Sequence, residues 1–199
     1  MEGAWQTAKG SDRMVSILEV AARHFYEKGY HATTIEDITE EVGILKGSIY
    51  YYIESKEELL YEILLDVIEH GQAGVEKALK GVTDPAEQLE RGLEQHIEAI
   101  IRNQTRVGLF FHEFNALSKR RKQQIQKARR KYHEIFVEII TRGQESGAFV
   151  EGDPDLFVNA VLGMCNWISQ WYRENAPPLE TVKKTYLGIV RSGIVRQKR

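Results

Sequence analysis

The sequence is poor in the features that mark several large classes of protein. It contains a single cysteine, which excludes a disulfide framework within one chain, and four prolines among 199 residues, which leave long stretches free to form helices. No apolar run approaches the roughly 20 residues that span a bilayer, and the N-terminus lacks the apolar core of a signal peptide. We therefore expect a cytoplasmic protein.

An excess of positive charge is also absent. The chain has 27 Lys and Arg against 29 Asp and Glu, which gives a formal net charge of −2. Domains that bind nucleic acid are typically strongly basic. A DNA-binding function would therefore have to depend on where individual cations lie rather than on bulk charge.

Helical periodicity extends along most of the chain. From Asp12, a suitable N-cap, apolar residues recur at spacings of three and four, as at Val15, Leu18 and Ala22. Strand-like alternation of useful length is absent, and residues 1–11 are small and polar. We predict a flexible N-terminus followed by an all-α fold of about nine helices, three short and six longer.

Residues 33–52 have the pattern of a helix-turn-helix unit. A short helix around Ile38 is followed by Gly43, which permits a tight turn, and a second helix begins near Lys46. Ile38 would pack against Ile49 of the second helix. In such units the second helix enters the major groove, where the base pairs can be distinguished.

The run from Gly43 to Leu59 resembles the signature of the TetR family of transcriptional regulators around its recognition helix. Upstream residues match the same pattern in order and spacing, so the motif covers residues 12–60; they are Ala21, Ala22, Phe25, Gly29, Tyr30, Thr33, Thr34, Ile35 and Ile38. The resemblance implies a three-helix, homeodomain-like DNA-binding domain at 12–56. It also implies a C-terminal helical bundle at 57–199 for ligand binding and dimerisation.

The resemblance further implies how the head contacts DNA. Thr34 would bind a phosphate, Lys46 a guanine edge or a phosphate, and Tyr51 a thymine methyl. The full predicted DNA-binding set is Thr33, Thr34, Lys46, Gly47, Ser48, Tyr50, Tyr51, Tyr52 and Lys56. The chain departs from the pattern at Tyr52, Ile53 and Glu54, where many members have histidine, phenylalanine and proline. Glu54 would repel the DNA backbone.

The last two predicted helices carry apolar stripes suited to dimerisation. A homodimer would place two heads on successive turns of a near-palindromic operator, and the resemblance puts a four-helix bundle between two chains there. The predicted interface residues are Leu156, Ala160, Trp171, Val182, Tyr186, Ile189 and Ile194. Part of these stripes must also serve the chain's own core.

Aromatic and amide side chains in the body are candidates for an effector pocket, with core packing as the alternative for the aromatics. They are Phe110, Phe111, His112, Phe114, Tyr132, Phe136, Asn166, Trp167, Gln170 and Trp171. The segment 119–131 is rich in cations and has no acid. It would be a solvated helix face, a second DNA patch, or a rim in which Arg129 and Arg130 bind the phosphates of an acyl-coenzyme A.

The stretch from Phe110 to Trp171 is similar to TetR-family regulators of fatty-acid and sterol breakdown, which respond to acyl-coenzyme A thioesters. The resemblance as a whole implies a repressor that a small effector, such as an acyl-coenzyme A, releases from its operator. It implies no cofactor and no metal.

Two other classes of function compete with this hypothesis. For an enzyme, His112 and Glu113 begin the zinc-binding His-Glu-x-x-His motif, but Ala116 occupies its last position, and phosphate-binding glycine loops are absent. An architectural or protein-binding helical module would not need the polar face formed by Lys46 and Tyr51. We therefore expect a DNA-binding regulator that is not an enzyme.

Overall fold

The computed structural model describes residues 8–196, and this part of the chain is helical almost throughout. The helices are α1 (Ala8–Lys28), α2 (Ile35–Val42), α3 (Lys46–Ile49), α4 (Lys56–Leu79), α5 (Pro85–Arg102), α6 (Gln104–His112), α7 (Lys119–Glu145), α8 (Pro154–Asn166), α9 (Ile168–Trp171) and α10 (Leu179–Ile194). Within residues 8–196, β-pairing is limited to an isolated antiparallel bridge between Phe149 and Val195. The predicted all-α fold is confirmed. The predicted number of about nine helices also agrees, because α9 continues α8 after a break at Trp167.

None of the helices in the described range combines the length and the apolar character that a bilayer span requires.

The chain forms two compact units, and each is built from two segments. The head unit comprises the residues up to Val67 together with Thr105–Gln126, and the body unit comprises Ile68–Gln104 together with the residues from Lys127 onward. This division differs from the predicted boundary at 56/57. The first part of α4 and all of α6 except its first residue belong to the head unit, and such long-range packing leaves no periodic signal in the sequence.

The core of the head unit is formed by the inner faces of α1, α2 and the start of α4. On α1, Met14, Ile17, Ala21 and Phe25 are buried, whereas Val15 is half exposed, so the predicted stripe is partly wrong in register. The helix begins at Ala8 rather than at Asp12, so the predicted N-cap lies within the helix. Most of the predicted flexible N-terminus, residues 1–7, lies outside the described residues.

The core of the body unit surrounds α5. Asp84 caps this helix by accepting a hydrogen bond from the Glu87 amide at 2.9 Å, and Leu93 and Ile97 are among its fully buried residues. Helices α8, α9 and α10 all contact α5. Lys183 of α10, which is buried, adds an ion pair, because its Nζ lies 2.9 Å from Oε1 of Glu98.

Candidate nucleic-acid interface and effector region

The N-terminus of α2 is fixed by a capping box. The Thr34 hydroxyl accepts a hydrogen bond from the Asp37 amide at 3.1 Å, and the Asp37 carboxylate accepts one from the Thr34 amide at 2.7 Å. These bonds from the Thr34 amide and hydroxyl, together with one from Lys28, lower the pKa of Asp37 to about 2. Thr34 is the cap and is exposed, so the predicted phosphate contact is sterically open.

The turn between α2 and α3 requires a glycine. Gly43 has φ +73° and ψ 42°, the left-handed conformation that ends many helices, and its amide donates to the Glu40 carbonyl at 3.3 Å. Ile38 of α2 and Ile49 of α3 are both fully buried, and the two helices are in contact. The helix-turn-helix unit is therefore formed by the residues that the sequence predicted.

The outer side of α3 and of the turn that follows it is open to solvent. Tyr51 is 80% exposed, Lys46 is exposed, and no atom of the described neighbours lies within 4 Å of a Cβ placed on Gly47. Ser48 and Tyr52 are half-buried, and Tyr50 is about half exposed. We call Lys46, Gly47, Ser48 and Tyr51 the α3 face.

Sequence reasoning missed one residue beside this face. Leu45, the N-cap of α3, is 79% exposed. A leucine held this far into solvent beside a polar surface is available for contact with a thymine methyl. The periodicity of the sequence could not reveal it, because Leu45 lies in the turn and not on a helical stripe.

Several cations of the head unit have acidic partners. Lys46 forms an ion pair with Glu36, which raises the pKa of Lys46 and lowers that of Glu36. Arg23 pairs with Glu41 in the same way. The positive charge of Lys46 is therefore compensated by Glu36 in the absence of DNA.

Two residues predicted to bind DNA have structural roles in the head unit. Thr33 is fully buried, and its hydroxyl donates to the carbonyls of His24 at 3.1 Å and Gly29 at 2.9 Å. The Lys56 ammonium donates to the carbonyls of Tyr30 at 2.9 Å and Thr33 at 2.8 Å, and it lies 4.5 Å from the centroid of the Tyr30 ring. The Thr33 side chain therefore offers no surface to DNA in this structure, and the predicted DNA contact of Lys56 stays a prediction.

The predicted dimer interface separates into an exposed set and a buried set. Leu156 is 66% exposed and Ile189 is 55% exposed, while Ala160 follows Leu156 one turn later on the same exposed face of α8. Val182 and Ile194 are buried in the body unit itself, so their assignment to the interface is wrong.

The remaining two residues of that predicted interface, Trp171 and Tyr186, are half-buried. Two exposed residues that were not predicted for it continue the face of Leu156 and Ala160: Gly163 of α8 and Trp167 at the break after α8. Trp167 had been assigned to the effector pocket instead.

Three residues predicted to bind the effector surround a histidine in the body unit. Tyr132 and Phe136 of α7 lie in edge-on ring contact with each other, with centroids 5.7 Å apart. The Tyr132 hydroxyl is 2.6 Å from Nδ1 of His96, a residue of α5 that was not predicted. Burial lowers the pKa of His96 to about 4, against an opposing hydrogen-bonding interaction with Asn166. A histidine within the apolar stripe of α5 was the available sequence signal.

The other predicted effector residues are more dispersed. Phe110, Phe111, His112 and Phe114 belong to the head unit, where Phe111 is half exposed and the His112 ring packs on Tyr26. In the body unit the Gln170 amide donates to the Ser169 hydroxyl at 3.3 Å, and the Trp171 ring contacts Tyr172.

The cationic segment 119–131 is not uniformly solvated. Arg121 is largely buried, with Nε 3.7 Å from a carboxylate oxygen of Glu57 and its guanidinium over the Tyr61 ring. Arg130 is exposed and pairs with Glu134 at 3.1 Å, and Arg129 is exposed.

Comparison with known proteins identifies the architecture. Residues 17–63 match the model of the bacterial regulatory proteins of the tetR family, and residues 82–194, more than half of the chain, match the tetracyclin repressor-like C-terminal domain. The chain belongs to the TetR family. As a TetR-family regulator, it is a DNA-binding transcriptional regulator that binds operator DNA as a homodimer and responds to a small-molecule effector rather than using a cofactor.

Several TetR-family relatives match over almost their whole length. The HTH-type transcriptional repressor KstR2 of Mycobacterium tuberculosis is 32% identical over 193 residues, which cover 94% of this chain and 95% of KstR2. PfmR from Thermus thermophilus, known from a crystal structure, is 36% identical in sequence to this chain. The two structures superpose with a TM-score of 0.82 over 92% of this chain and 99% of PfmR. AibR, solved with isovaleryl coenzyme A and operator DNA, shares the fold at 24% identity and a TM-score of 0.81, covering 89% of this chain and 97% of AibR.

Proposed function

We propose that the α3 face, together with Thr34, Tyr50 and Tyr52, reads the operator. The observation that carries this proposal is an open Gly47 on α3, a helix that a fully buried Ile49 anchors, followed by an 80% exposed Tyr51 in the turn after the helix. A rigid helix that exposes its polar side fits a major groove, and the missing Cβ at Gly47 allows the backbone to approach the bases.

Gel-shift titration on an operator selected from random DNA tests this proposal. Removal of one base contact lowers specific affinity by about 1–3 kcal/mol, or about fivefold to a hundredfold, so Tyr51→Ala should fall in that range. Lys46→Ala should weaken binding and, if Lys46 contacts a phosphate, reduce the salt slope by about 0.9. Lys77→Ala, at an exposed lysine of α4 in the body unit, is the charge-matched control. Unchanged specific binding by both head variants would refute the assignment.

The dimer proposed here uses the exposed apolar face of α8 and α10, which includes Leu156, Ala160 and Ile189. Two copies would present two heads to half-sites one helical turn apart, so the selected operator should be a near-palindrome. A two-fold symmetric homodimer buries the same patch of both subunits in its interface, and the apolar residues of this face are exposed in the single chain.

We infer that the effector is an acyl-coenzyme A that binds around Tyr132, Phe136 and Asn166, and that Arg129 and Arg130 bind its phosphates. Support comes from AibR, a protein of this fold that was solved with isovaleryl coenzyme A, and from the exposed cations of α7. An effector acts by binding one conformation more tightly than another, here the conformation with lower operator affinity.

Thermal unfolding in the presence of saturated acyl-coenzyme A thioesters of increasing chain length tests the effector class. A ligand at a hundred times its dissociation constant stabilises the protein by about 2.7 kcal/mol, which is readily detected. The absence of stabilisation by any thioester would refute this effector. We also infer that the protein acts in the cytoplasm and catalyses no reaction, since its relatives are named as regulators.

A further inference from the structure

One ring nitrogen at the centre of the body unit lacks a hydrogen-bond partner. His96 is 7% exposed, and its Nδ1 lies 2.6 Å from the Tyr132 hydroxyl. Its Nε2 is completely buried and forms no hydrogen bond to any described residue. Asn166 interacts with the imidazole, but no bond of normal geometry joins it to Nε2. Buried polar atoms are normally paired, so this one requires an explanation.

The partner on Nδ1 determines which nitrogen of His96 carries the proton. Burial lowers the pKa of His96 to about 4, so the ring is neutral at pH 7 and has one N–H. Burial raises the pKa of Tyr132, which therefore keeps its hydroxyl proton. Among the described residues, His96 Nδ1 is the acceptor within reach of that hydroxyl. When Tyr132 donates to Nδ1, Nε2 is the protonated nitrogen and becomes an unpaired donor.

The surroundings of the His96–Tyr132 pair are mainly apolar and come from α4, α7 and α8. Phe136 of α7 packs against the His96 ring at a centroid distance of 6.2 Å, and a Cβ placed on Gly71 of α4 would lie 4.0 Å from the Tyr132 ring. Cys165 of α8 is fully buried, and its burial raises the thiol pKa to about 12. No charged group is therefore contributed by these neighbours. The break between α8 and α9 falls directly after Asn166, which gives this wall an irregular backbone.

We propose that Nε2–H of His96 donates a hydrogen bond to the uncharged carbonyl oxygen of the effector, and that Tyr132 is the positioning residue that fixes the required tautomer. A neutral donor among apolar groups suits a thioester carbonyl. A carboxylate would lose its hydration without gaining a cation, so the site discriminates against the free acid. This inference rests on the effector region proposed above and adds the group that is recognised there.

Matched pairs of ligands test the inference on the full-length protein. Each saturated acyl-coenzyme A from butyryl to palmitoyl is compared with its S-alkyl analogue, in which a methylene replaces the carbonyl. Wild-type protein should bind the best thioester about tenfold more tightly than its analogue, the size expected for one buried hydrogen bond. In His96→Phe the ratio of the affinity for the thioester to the affinity for its analogue should fall to about one. In Tyr132→Phe this ratio should fall partly. His133→Phe, at a neighbouring histidine that also has a buried, unpaired Nε2, should keep the preference.

The outcomes separate this inference from the proposals on which it rests. If no member of either series binds, the acyl-coenzyme A effector and the inference both fail. If thioester and analogue bind equally well to wild type, the effector class stands and the role of His96 is refuted. Gel shifts without effector should show His96→Phe binding the operator like wild type, and loss of binding by Tyr51→Ala bears on the α3 face alone.

Nitrogen-15 NMR of histidine-labelled wild-type protein tests the tautomer without any substitution. The His96 resonances should show the Nε2–H form in the free protein, and the Nε2 proton should move downfield when the thioester is added. Detection of the Nδ1–H form, or of an unchanged Nε2 proton in the saturated complex, would overturn the inference.

Discussion

Replacement of Lys56 by methionine should destabilise the head unit without removing a DNA contact. The ammonium donates to the carbonyls of Tyr30 at 2.9 Å and Thr33 at 2.8 Å, while the His31 carbonyl lies at 3.5 Å. It also lies 4.5 Å from the Tyr30 ring centroid. The ammonium thus links the start of α4 to the chain between α1 and α2, and Lys56→Met keeps most of the aliphatic stem while deleting these interactions.

The expected loss of stability in Lys56→Met follows from the number of hydrogen bonds that the ammonium makes and from its partial exposure. A hydrogen bond from a charged donor contributes about 1.5–3 kcal/mol, and an exposed cation–π contact about 0.5–1 kcal/mol. Because Lys56 is half-buried, water can replace part of what is lost, and we take the lower end for the two short bonds. The free energy of unfolding should therefore fall by about 2–3 kcal/mol, which corresponds to a melting temperature lower by roughly 5–10 °C for a chain of this size.

Two measurements on the same samples distinguish this role from a phosphate clamp. Urea unfolding followed by circular dichroism gives the stability, and operator affinity across a range of salt concentrations gives the number of phosphate contacts. Lys56→Met should lower stability and keep the wild-type salt slope, whereas loss of a phosphate contact changes the slope by about 0.9. Lys46→Met is the matched control. We expect it to keep nearly the wild-type free energy of unfolding and to change the salt dependence of operator affinity. Wild-type stability together with a reduced slope in Lys56→Met would refute the reasoning.

Four further predictions concern other parts of the molecule. Glu36→Gln should bind DNA about twofold to fivefold more tightly, because Lys46 no longer has to leave its partner; gel shifts that show weaker binding would contradict this. Gly47→Ala should leave urea stability unchanged or slightly raised but weaken operator binding, since open space surrounds the added methyl until DNA arrives; unimpaired binding would argue against close approach there. Ile189→Glu should shift the protein toward monomer in sedimentation velocity, and an unchanged dimer would place the interface elsewhere. Burial lowers the pKa of His96 from 6.5 to about 4, so below pH 6.5 the unfolded chain binds a proton that the folded chain does not. The free energy of unfolding should therefore fall by up to about 3 kcal/mol between pH 6.5 and pH 4. In His96→Phe the same change of pH should lower it less.

Controls keep these outcomes specific. Val15→Glu introduces the same charge at an exposed apolar position of the head unit and should leave the dimer intact. Glu40→Gln removes an exposed acid from the same helix as Glu36 and should leave DNA affinity nearly unchanged. For the pH series, equal slopes in wild type and His96→Phe would show that His96 takes up a proton in the folded protein.

Local chemistry explains why the sequence predicted the helix-turn-helix unit well. Gly43 needs its left-handed conformation whatever else the chain does, and Ile38 and Ile49 are close in sequence and buried by short-range packing. The capping box from Thr34 to Asp37 is likewise complete within one turn of helix. Where the residues that determine a local structure lie close together in the sequence, periodicity and turn chemistry are sufficient to predict that structure.

The same reasoning failed where a residue's role depends on distant partners. Thr33 and Thr34 are adjacent and chemically alike, yet one is buried against the carbonyls of His24 and Gly29 while the other caps α2 in solvent. On α10, Val182 and Ile189 both belong to an apolar stripe, but one faces the core of the body unit and the other faces solvent. A stripe alone cannot show which of its edges the neighbouring helices cover.

The sequence by itself determined the helical class, the turn at Gly43 and the polar face of α3, because each follows from spacing and from the conformational range of single residues. Only the tertiary structure decided that the Lys56 ammonium faces the carbonyls of Tyr30 and Thr33 and that His96 is left with an unpaired nitrogen. Those outcomes depend on atoms brought together from separate helices, and a free donor becomes visible only once every nearby acceptor has been placed.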